Sequence, residues 1–315
     1  MSYTILPERL RPGATIGIVS PSAAVVPGLR PLLDSGIAAL ERLGYSTRLG
    51  RNALLNHHGS GGTPRQRADD INSMFADSSV DAIICTQGGD TSNMCLPYID
   101  FDIIRENPKI FMGISDITAL LNAFQARTGM VTFHGNDVMW GFGRKMTGYD
   151  ISEFTGRLSE ARGGTVEKNS VWKTVRGGCG EGRLLGGNLR CLLKLAGTPY
   201  MPDLTDSILF LEAFEMTPEI CGYLLAQLCQ TGAFDRLRGV LIGYIWGLQS
   251  SAERSRLARM EDILAELSEG YEFPVVKCDD FGHNCSNTVL PVGAMARIRA
   301  EGEEPCLDIT GPFLM

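Results

Sequence analysis

Short apolar runs alternate with amphipathic segments through the first half of the chain, and this alternation constrains the fold more than any other feature of the sequence. The runs cover residues 15–20, 80–85 and 110–114, and a turn rich in glycine, proline or serine follows each of them. Such alternation is typical of a largely parallel sheet covered by helices on both faces. Functional sites in these sheets form beyond the carboxyl ends of the strands, so we expect the site at these turns.

Ser115 lies where the third run ends and an amphipathic segment begins, directly after Gly113 and Ile114. This pattern predicts a sharp strand-to-helix turn that exposes the serine hydroxyl at the sheet edge. Backbone N–H groups at the start of the helix would face any negative charge that develops nearby. A serine in such a turn, combined with an acid and a histidine later in the chain, indicates acyl transfer. From spacing alone, Ser115 as a simple helix N-cap is the alternative.

The character of the sequence changes near residue 145. Residues 148–182 are rich in glycine and polar residues and show weak periodicity, which predicts a linker or a long loop. Short β-like runs follow. We therefore predict an α/β protein with a Rossmann-like, mostly parallel N-terminal domain over 1–147, which carries the nucleophile. A second, mixed and β-rich α+β domain over 183–315 would carry the acid and the base.

Composition excludes several classes of function. The formal net charge of −7 argues against nucleic acid or an anionic membrane as the main partner. Nine cysteines form no C-x-x-C pair, and the dispersed histidines form no H-E-x-x-H helix, so we expect neither a metal site nor a disulfide framework. No Walker A or G-x-G-x-x-G motif supports a nucleotide cofactor, and we predict none. Without a signal-like or membrane-length apolar segment, the predicted location is cytoplasmic.

Glu212 and His283 are the candidate acid and base. Glu212 ends the strand-like run 207–211, and His283 follows the strand-like run 275–278 in a loop. Serine needs an imidazole to take its proton, and a carboxylate must orient that imidazole and stabilise its cation. Glu215 and Glu219 are rivals for the carboxylate. The alternative interpretations are a surface-paired Glu212 and a His283 bonded to backbone in its loop.

The chain resembles, nearly end to end, the family of LD-carboxypeptidases and microcin C immunity peptidases, which are serine peptidases with a Ser-Glu-His triad. The most specific stretch is the nucleophile block, which contains Ile110-Phe111-Met112-Gly113-Ile114-Ser115-Asp116-Ile117-Thr118. The matching segments, in order, are 10–22, 65–72, 75–77, 96–102, 107–118, 186–189, 197–200, 209–212, 282–283 and 290–293.

This resemblance implies a role for each candidate. Ser115 would be the nucleophile, His283 the general base and then acid, and Glu212 the carboxylate that orients it. The backbone N–H groups of Gly89 and Asp116 would form the oxyanion hole, which is physically reasonable because a glycine allows close backbone approach. The family also implies a homodimer. A catalytically silent binding module on the same fold is the alternative to an enzyme.

The resemblance implies a small peptide or a peptidyl-nucleotide as the substrate. Cell-wall recycling members usually carry Arg-Gly-Gly-Tyr-Gly where this chain has Gln87-Gly88-Gly89-Asp90-Thr91, so the chain looks closer to the microcin-immunity branch. The predicted substrate-binding residues are Asp90 and Trp172, the latter by stacking on a nucleobase or, alternatively, acting as a hydrophobic plug. We interpret His134 as structural or as part of a pocket wall, and Trp140 and Trp246 as core or interface packing residues.

Overall fold

A computed structural model describes residues 4–248, 258–302 and 304–315 of the chain. The strands are β1 (Thr15–Val19), β2 (Ser46–Leu49), β3 (Ala82–Cys85), β4 (Ile110–Gly113), β5 (Thr132–His134), β6 (Gly164–Thr165), β7 (Lys173–Arg176), β8 (Cys179–Asn188), β9 (Ser207–Ala213), β10 (Gly239–Ile245), β11 (Val275–Gly282), β12 (Leu290–Val292), β13 (Met295–Arg299) and β14 (Cys306–Ile309). The α-helices are α1 (Arg30–Arg42), α2 (Pro64–Ala76), α3 (Phe101–Glu106), α4 (Thr118–Thr128), α5 (Gly148–Leu158), α6 (Leu189–Leu193), α7 (Pro218–Gln230) and α8 (Met260–Leu267). Shorter helical turns lie at Pro27–Leu29, Ser92–Tyr98, Ser115–Ile117, Val138–Phe142 and Ala233–Arg236.

The first sheet has the strand order β12-β5-β4-β3-β1-β2. Its strands β2, β1, β3, β4 and β5 are parallel, and β12 pairs antiparallel with β5 at the edge. Every residue of β3 and β4 is buried, as expected for parallel strands covered on both faces. The prediction of a mostly parallel N-terminal sheet is confirmed.

The second sheet is mixed and has the order β6-β14-β13-β8-β9-β10-β11-β7. Its centre, β8 to β11, is parallel, whereas β13, β14, β6 and β7 pair antiparallel at the two ends. All seven residues of β9 are buried, including Glu212. His283 directly follows β11, so the two candidates leave strands that flank β10. The predicted fold class, two sheets of which the second is mixed, is confirmed.

The segment 148–182 differs from the predicted loop, because it contains α5, β6, β7 and the start of β8. A capping box begins α5, in which Thr147 and Asp150 exchange hydrogen bonds. The buried face of this helix carries an ion pair, with Arg157 Nε 3.3 Å from Glu153 Oε2. Gly148 and Gly156 lie within this helix, and because glycine disfavours helix formation, the composition of the segment points to a loop.

The division of the chain at residues 147 and 182 stays a prediction. One strand from the third part, β12, returns to the first sheet and pairs with β5 through Leu290 and His134. No helix within residues 4–248, 258–302 and 304–315 is both long and apolar enough to cross a bilayer.

Candidate active site

Ser115 occupies a strained turn between β4 and α4. Its φ is 64°, in the left-handed region that residues other than glycine rarely adopt. A residue held there costs about 1–3 kcal/mol and persists only where its surroundings enforce it. The turn Ser115–Ile117 runs directly into α4, and the serine side chain keeps partial access to solvent. The structure therefore places Ser115 on the predicted strand-to-helix turn.

The glycine loop after β3 packs against this turn. A Cβ added to Gly88 would lie 2.8 Å from Ser115 Oγ and 3.3 Å from the backbone nitrogen of Asp116, so no side chain fits there. Gly89 has a φ of 141°, and a Cβ added to it would lie 2.5 Å from Ser22 Oγ. Among the described residues, the N–H of Gly89 donates to no protein acceptor. The loop thus brings backbone next to the serine hydroxyl, at the place where the oxyanion hole is predicted.

Asp116, the residue after Ser115, holds the turn in place through its buried carboxylate. Its carboxylate is fully buried and accepts hydrogen bonds from the Ser22 hydroxyl (2.5 Å), the Ser92 N–H (2.7 Å) and Lys194 Nζ (2.6 Å). Burial alone would raise the pKa of Asp116, but the charge and hydrogen bond of Lys194, with the other two donors, lower it. Lys194 also donates to the carbonyl oxygen of Asp90 at 2.9 Å. One lysine therefore ties the turn at Ser115 to the glycine loop.

Glu212 and His283 form a close pair. His283 Nδ1 lies 2.6 Å from Glu212 Oε2, and the glutamate side chain is fully buried. Burial alone would lower the pKa of His283, but the charge and hydrogen bond of Glu212 raise it. Burial would likewise raise the pKa of Glu212, and the charge of His283 lowers it. Glu215 and Glu219 are exposed, so the contact singles out Glu212 among the three candidates.

Aromatic rings pack beside the His283 end of this pair. The ring of Phe214 lies 4.8 Å from that of His283, and Trp246 packs against Phe214 at 5.5 Å. With Nδ1 engaged by Glu212, the remaining ring nitrogen of His283, Nε2, is the one that can accept a proton. The pair therefore has the arrangement that a general base requires.

His134 lies beneath the pair, at the end of β5. Its ring stands edge-on to Phe210 at 5.3 Å and to Phe281 at 6.1 Å, and its side chain is fully buried. Neither ring nitrogen has a hydrogen-bond partner among the described residues. Burial lowers the pKa of His134 to about 4, although the charge of Glu212 opposes this shift. His134 is thus a buried packing residue in its neutral form at physiological pH, which agrees with the structural alternative of its interpretation from sequence.

Helix α4 links the turn at Ser115 to the strands that position Glu212. Thr118, three residues after Ser115, accepts a hydrogen bond from the Asn188 N–H at 2.9 Å, and Asn188 pairs with Glu212 in the β8–β9 register. No hydrogen bond joins Ser115 to His283 in the part of the chain that the structure describes. Because catalytic hydrogen bonds often tighten only when substrate is bound, proton transfer between them stays a prediction.

The two predicted substrate-binding residues lie in different surroundings. Asp90 has an exposed side chain on the glycine loop. Trp172 is only 6% exposed, and its indole N–H donates to Asp280 Oδ2 at 2.6 Å. A packed and hydrogen-bonded indole favours the plug alternative for Trp172, and stacking on a nucleobase stays a prediction.

Sequence reasoning missed the roles of three residues near the site. Trp140, interpreted as a packing residue, is 41% exposed, and Arg144 lies over its ring at 4.6 Å. Lys194 carries no local sequence signal, because Asp116 is 78 positions away.

No group of three His, Cys, Asp or Glu side chains within the described ranges could hold a metal ion.

Two family models match the chain. The LD-carboxypeptidase N-terminal domain covers residues 16–135, and the LD-carboxypeptidase C-terminal domain covers residues 181–298. A probable murein peptide carboxypeptidase of Bacillus subtilis is 31% identical over 94% of this chain and 92% of its own length. The microcin C7 self-immunity protein MccF of Escherichia coli is 28% identical over 99% of this chain and 98% of its own length. The structure of MccF in complex with aspartyl sulfamoyl adenosine superposes with a TM-score of 0.90, covering 99% of this chain and 100% of that one at 28% identity.

Proposed function

The chain belongs to the LD-carboxypeptidase family of serine peptidases, and from this premise we propose that Ser115, His283 and Glu212 act as a catalytic triad. The reaction would be hydrolysis of an amide bond next to a terminal carboxylate or a nucleotide-like group. The observation that carries this proposal is the 2.6 Å contact between His283 Nδ1 and Glu212 Oε2. A buried carboxylate in that position orients the imidazole and stabilises its cation.

The chemical steps follow from these roles. His283 Nε2 takes the hydroxyl proton of Ser115 while Ser115 Oγ attacks the carbonyl carbon of the scissile bond. The backbone N–H groups of Gly89 and Asp116 receive the developing oxyanion, and one such donor typically contributes about 3–4 kcal/mol. His283 then returns its proton to the departing amine, which leaves an ester on Ser115. Water, deprotonated by His283, hydrolyses this ester and regenerates the hydroxyl.

Two substrate classes fit this chemistry. An aminoacyl- or peptidyl-nucleotide is favoured by residues 88–93, which look like the microcin-immunity branch, and by the similarity to a protein that binds aspartyl sulfamoyl adenosine. A murein tetrapeptide that loses its terminal D-alanine is the second candidate. The relative named as a probable murein peptide carboxypeptidase supports it.

A fluorophosphonate probe and a turnover assay test the proposal. The wild type should be labelled on serine and should hydrolyse either glutamyl sulfamoyl adenosine or the murein tetrapeptide, whereas Ser115→Ala should do neither. We expect a loss in kcat of about 10⁶-fold for Ser115→Ala. Ser35→Ala, an exposed serine on α1, is the matched control and should behave as wild type. Binding of both ligands without labelling or turnover would support the alternative of a catalytically silent binding module.

Two sequence predictions accompany this proposal. A homodimer and a cytoplasmic location both follow from the sequence analysis. Sedimentation equilibrium of the purified protein tests the first, and cell fractionation tests the second.

A further inference from the structure

An arginine and a tryptophan outside the proposed triad span the site from one side to the other. The indole N–H of Trp140 donates to Gln87 Oε1 at 3.0 Å. The guanidinium of Arg144 lies 4.6 Å from the centre of the Trp140 ring and donates to Asn284 Oδ1 at 3.3 Å. We name this arrangement, formed by Trp140 and Arg144, the Trp–Arg bridge.

The two ends of the Trp–Arg bridge touch the two halves of the site. Gln87 immediately precedes Gly88, whose backbone packs against Ser115. Asn284 immediately follows His283. The bridge therefore runs from the loop beside the nucleophile to the loop that carries the base.

The short turn that carries Trp140 is firmly held. Asp137 begins the turn Val138–Phe142, and its carboxylate accepts the backbone N–H groups of Trp140 at 2.6 Å and Gly141 at 3.1 Å. Because Asp137 is only 2% exposed, these hydrogen bonds are shielded from water. The indole is thus fixed at both its backbone and its ring nitrogen, and it offers Arg144 a rigid face.

The donors of Arg144 are mostly unused. Its side chain is exposed, and within the described residues its guanidinium pairs with no carboxylate. By contrast, Arg297 and Arg157 each contact a glutamate. A guanidinium stacked on an aromatic ring keeps its planar fork of N–H groups free at the edge, and this fork matches the two oxygens of a carboxylate. An arginine presented in this way next to the loop that carries His283 is suited to bind an anionic group of a substrate.

We propose that Arg144, held on the face of Trp140, binds a carboxylate of the substrate and makes the site select acidic over amidated substrates. This inference rests on the proposed function of the site and adds a specificity-determining residue to it. The carboxylate has two possible sources, the free C-terminus of a peptide and the acidic side chain of an aminoacyl group. Both present the same pair of oxygens to the guanidinium.

Binding measurements in a Ser115→Ala background test the proposal without requiring turnover. Titration calorimetry compares two ligand pairs: a murein tetrapeptide ending in D-alanine against its D-alaninamide form, and glutamyl against glutaminyl sulfamoyl adenosine. In one pair, Arg144→Gln should weaken binding of the acidic member about 10–100-fold, as expected for lost charge-assisted hydrogen bonds. Binding of its amide should change by less than about 2-fold. The pair that responds identifies the source of the carboxylate.

Lys145→Gln is the matched control, because it removes the same charge from the neighbouring exposed position. It should leave all four affinities unchanged. Equal weakening of acid and amide by Arg144→Gln, or no weakening at all, would overturn the proposal. The proposal would also be overturned if the Ser115→Ala protein with Arg144 intact bound none of the four ligands. Failure of the wild type to hydrolyse any of these ligands would instead count against the proposed function alone.

Discussion

The turn that carries Ser115 and the pair formed by Glu212 and His283 are stabilised by opposite means. Beneath the turn, the carboxylate of Asp116 accepts three hydrogen bonds, and Lys194 extends this polar network to the glycine loop. The pair instead relies on one short contact among apolar rings. Several hydrogen bonds fix where a backbone lies, whereas one contact shielded from water sets how strongly an imidazole holds a proton. The two halves of the site therefore supply position and proton affinity separately.

Between the turn and the pair, the larger effect is expected where the pair loses its charge. Glu212→Gln keeps the shape of the side chain but cannot stabilise the imidazolium, so kcat/KM should fall about 10⁴-fold. Steady-state kinetics on the better of the two substrates measures this loss. Glu215→Gln is the control, since Glu215 is an exposed neighbour, and it should stay within 2-fold of wild type. A loss below about 10-fold for Glu212→Gln would contradict the role of the pair in proton transfer.

A change in position without a change in charge should have a smaller effect. In Gly88→Ala the new methyl group would overlap Ser115, so the hydroxyl must move, and kcat/KM should fall about 10²–10³-fold. Gly28→Ala, at a glycine with open space around it, is the control and should retain full activity. Full activity of Gly88→Ala would show that the loop can move away from Ser115 and that hydrogen bonds do not fix the position of this turn.

Breaking the polar network should affect stability as well as rate. Lys194→Met leaves the buried carboxylate of Asp116 without its cation, which should lower the free energy of unfolding at pH 7 by about 2–4 kcal/mol. The folded-state pKa of Asp116 is lowered, so its ionised form stabilises the fold above pH 3.8, and this contribution is lost as the pH falls through the folded pKa. Without Lys194, burial raises the pKa of Asp116, so the carboxyl carries its costly charge at pH 7 but is largely neutral near pH 4. Urea denaturation should therefore show a larger penalty for Lys194→Met at pH 7 than near pH 4. Adding Asp116→Asn should recover much of the loss, and a penalty independent of pH would argue against an unpaired charge as its cause.

The smallest effect is a shift in the pH profile. Because Glu212 raises the pKa of His283 above 6.5, kcat/KM should rise with pH through a midpoint above 6.5 as the imidazole loses its proton. In Glu212→Gln that midpoint should move to lower pH, whereas in Gly88→Ala it should not. The raised pKa also stabilises the folded state below pH 6.5, a contribution that is lost as the pH rises through the folded pKa. Identical midpoints in the wild type and Glu212→Gln would show that the loss of activity at low pH is not caused by protonation of His283.

The sequence reveals this site wherever a local pattern carries the information. The turn at Ser115 is recognisable because a strand, a glycine and a helix start follow one another, and His283 because it leaves an apolar strand. Lys194 and Arg144 are not recognisable, because their partners lie 78 and 140 positions away and only the tertiary fold brings them together. Helix α5 is not recognisable either, because Gly148 and Gly156 give its segment the composition of a loop. Local chemistry is thus predictable from sequence, whereas the residues that support it are not.

The strand β12 has a consequence for how the molecule can move. His283 directly follows β11 of the second sheet, and seven positions later the chain enters β12. This strand pairs antiparallel with β5 of the first sheet through Leu290, Pro291 and Val292. A hinge motion that separates the two sheets would have to break the hydrogen bonds between β12 and β5. We therefore expect ligands to enter and leave through local adjustments of side chains and loops, while the two sheets remain fastened together throughout each turnover.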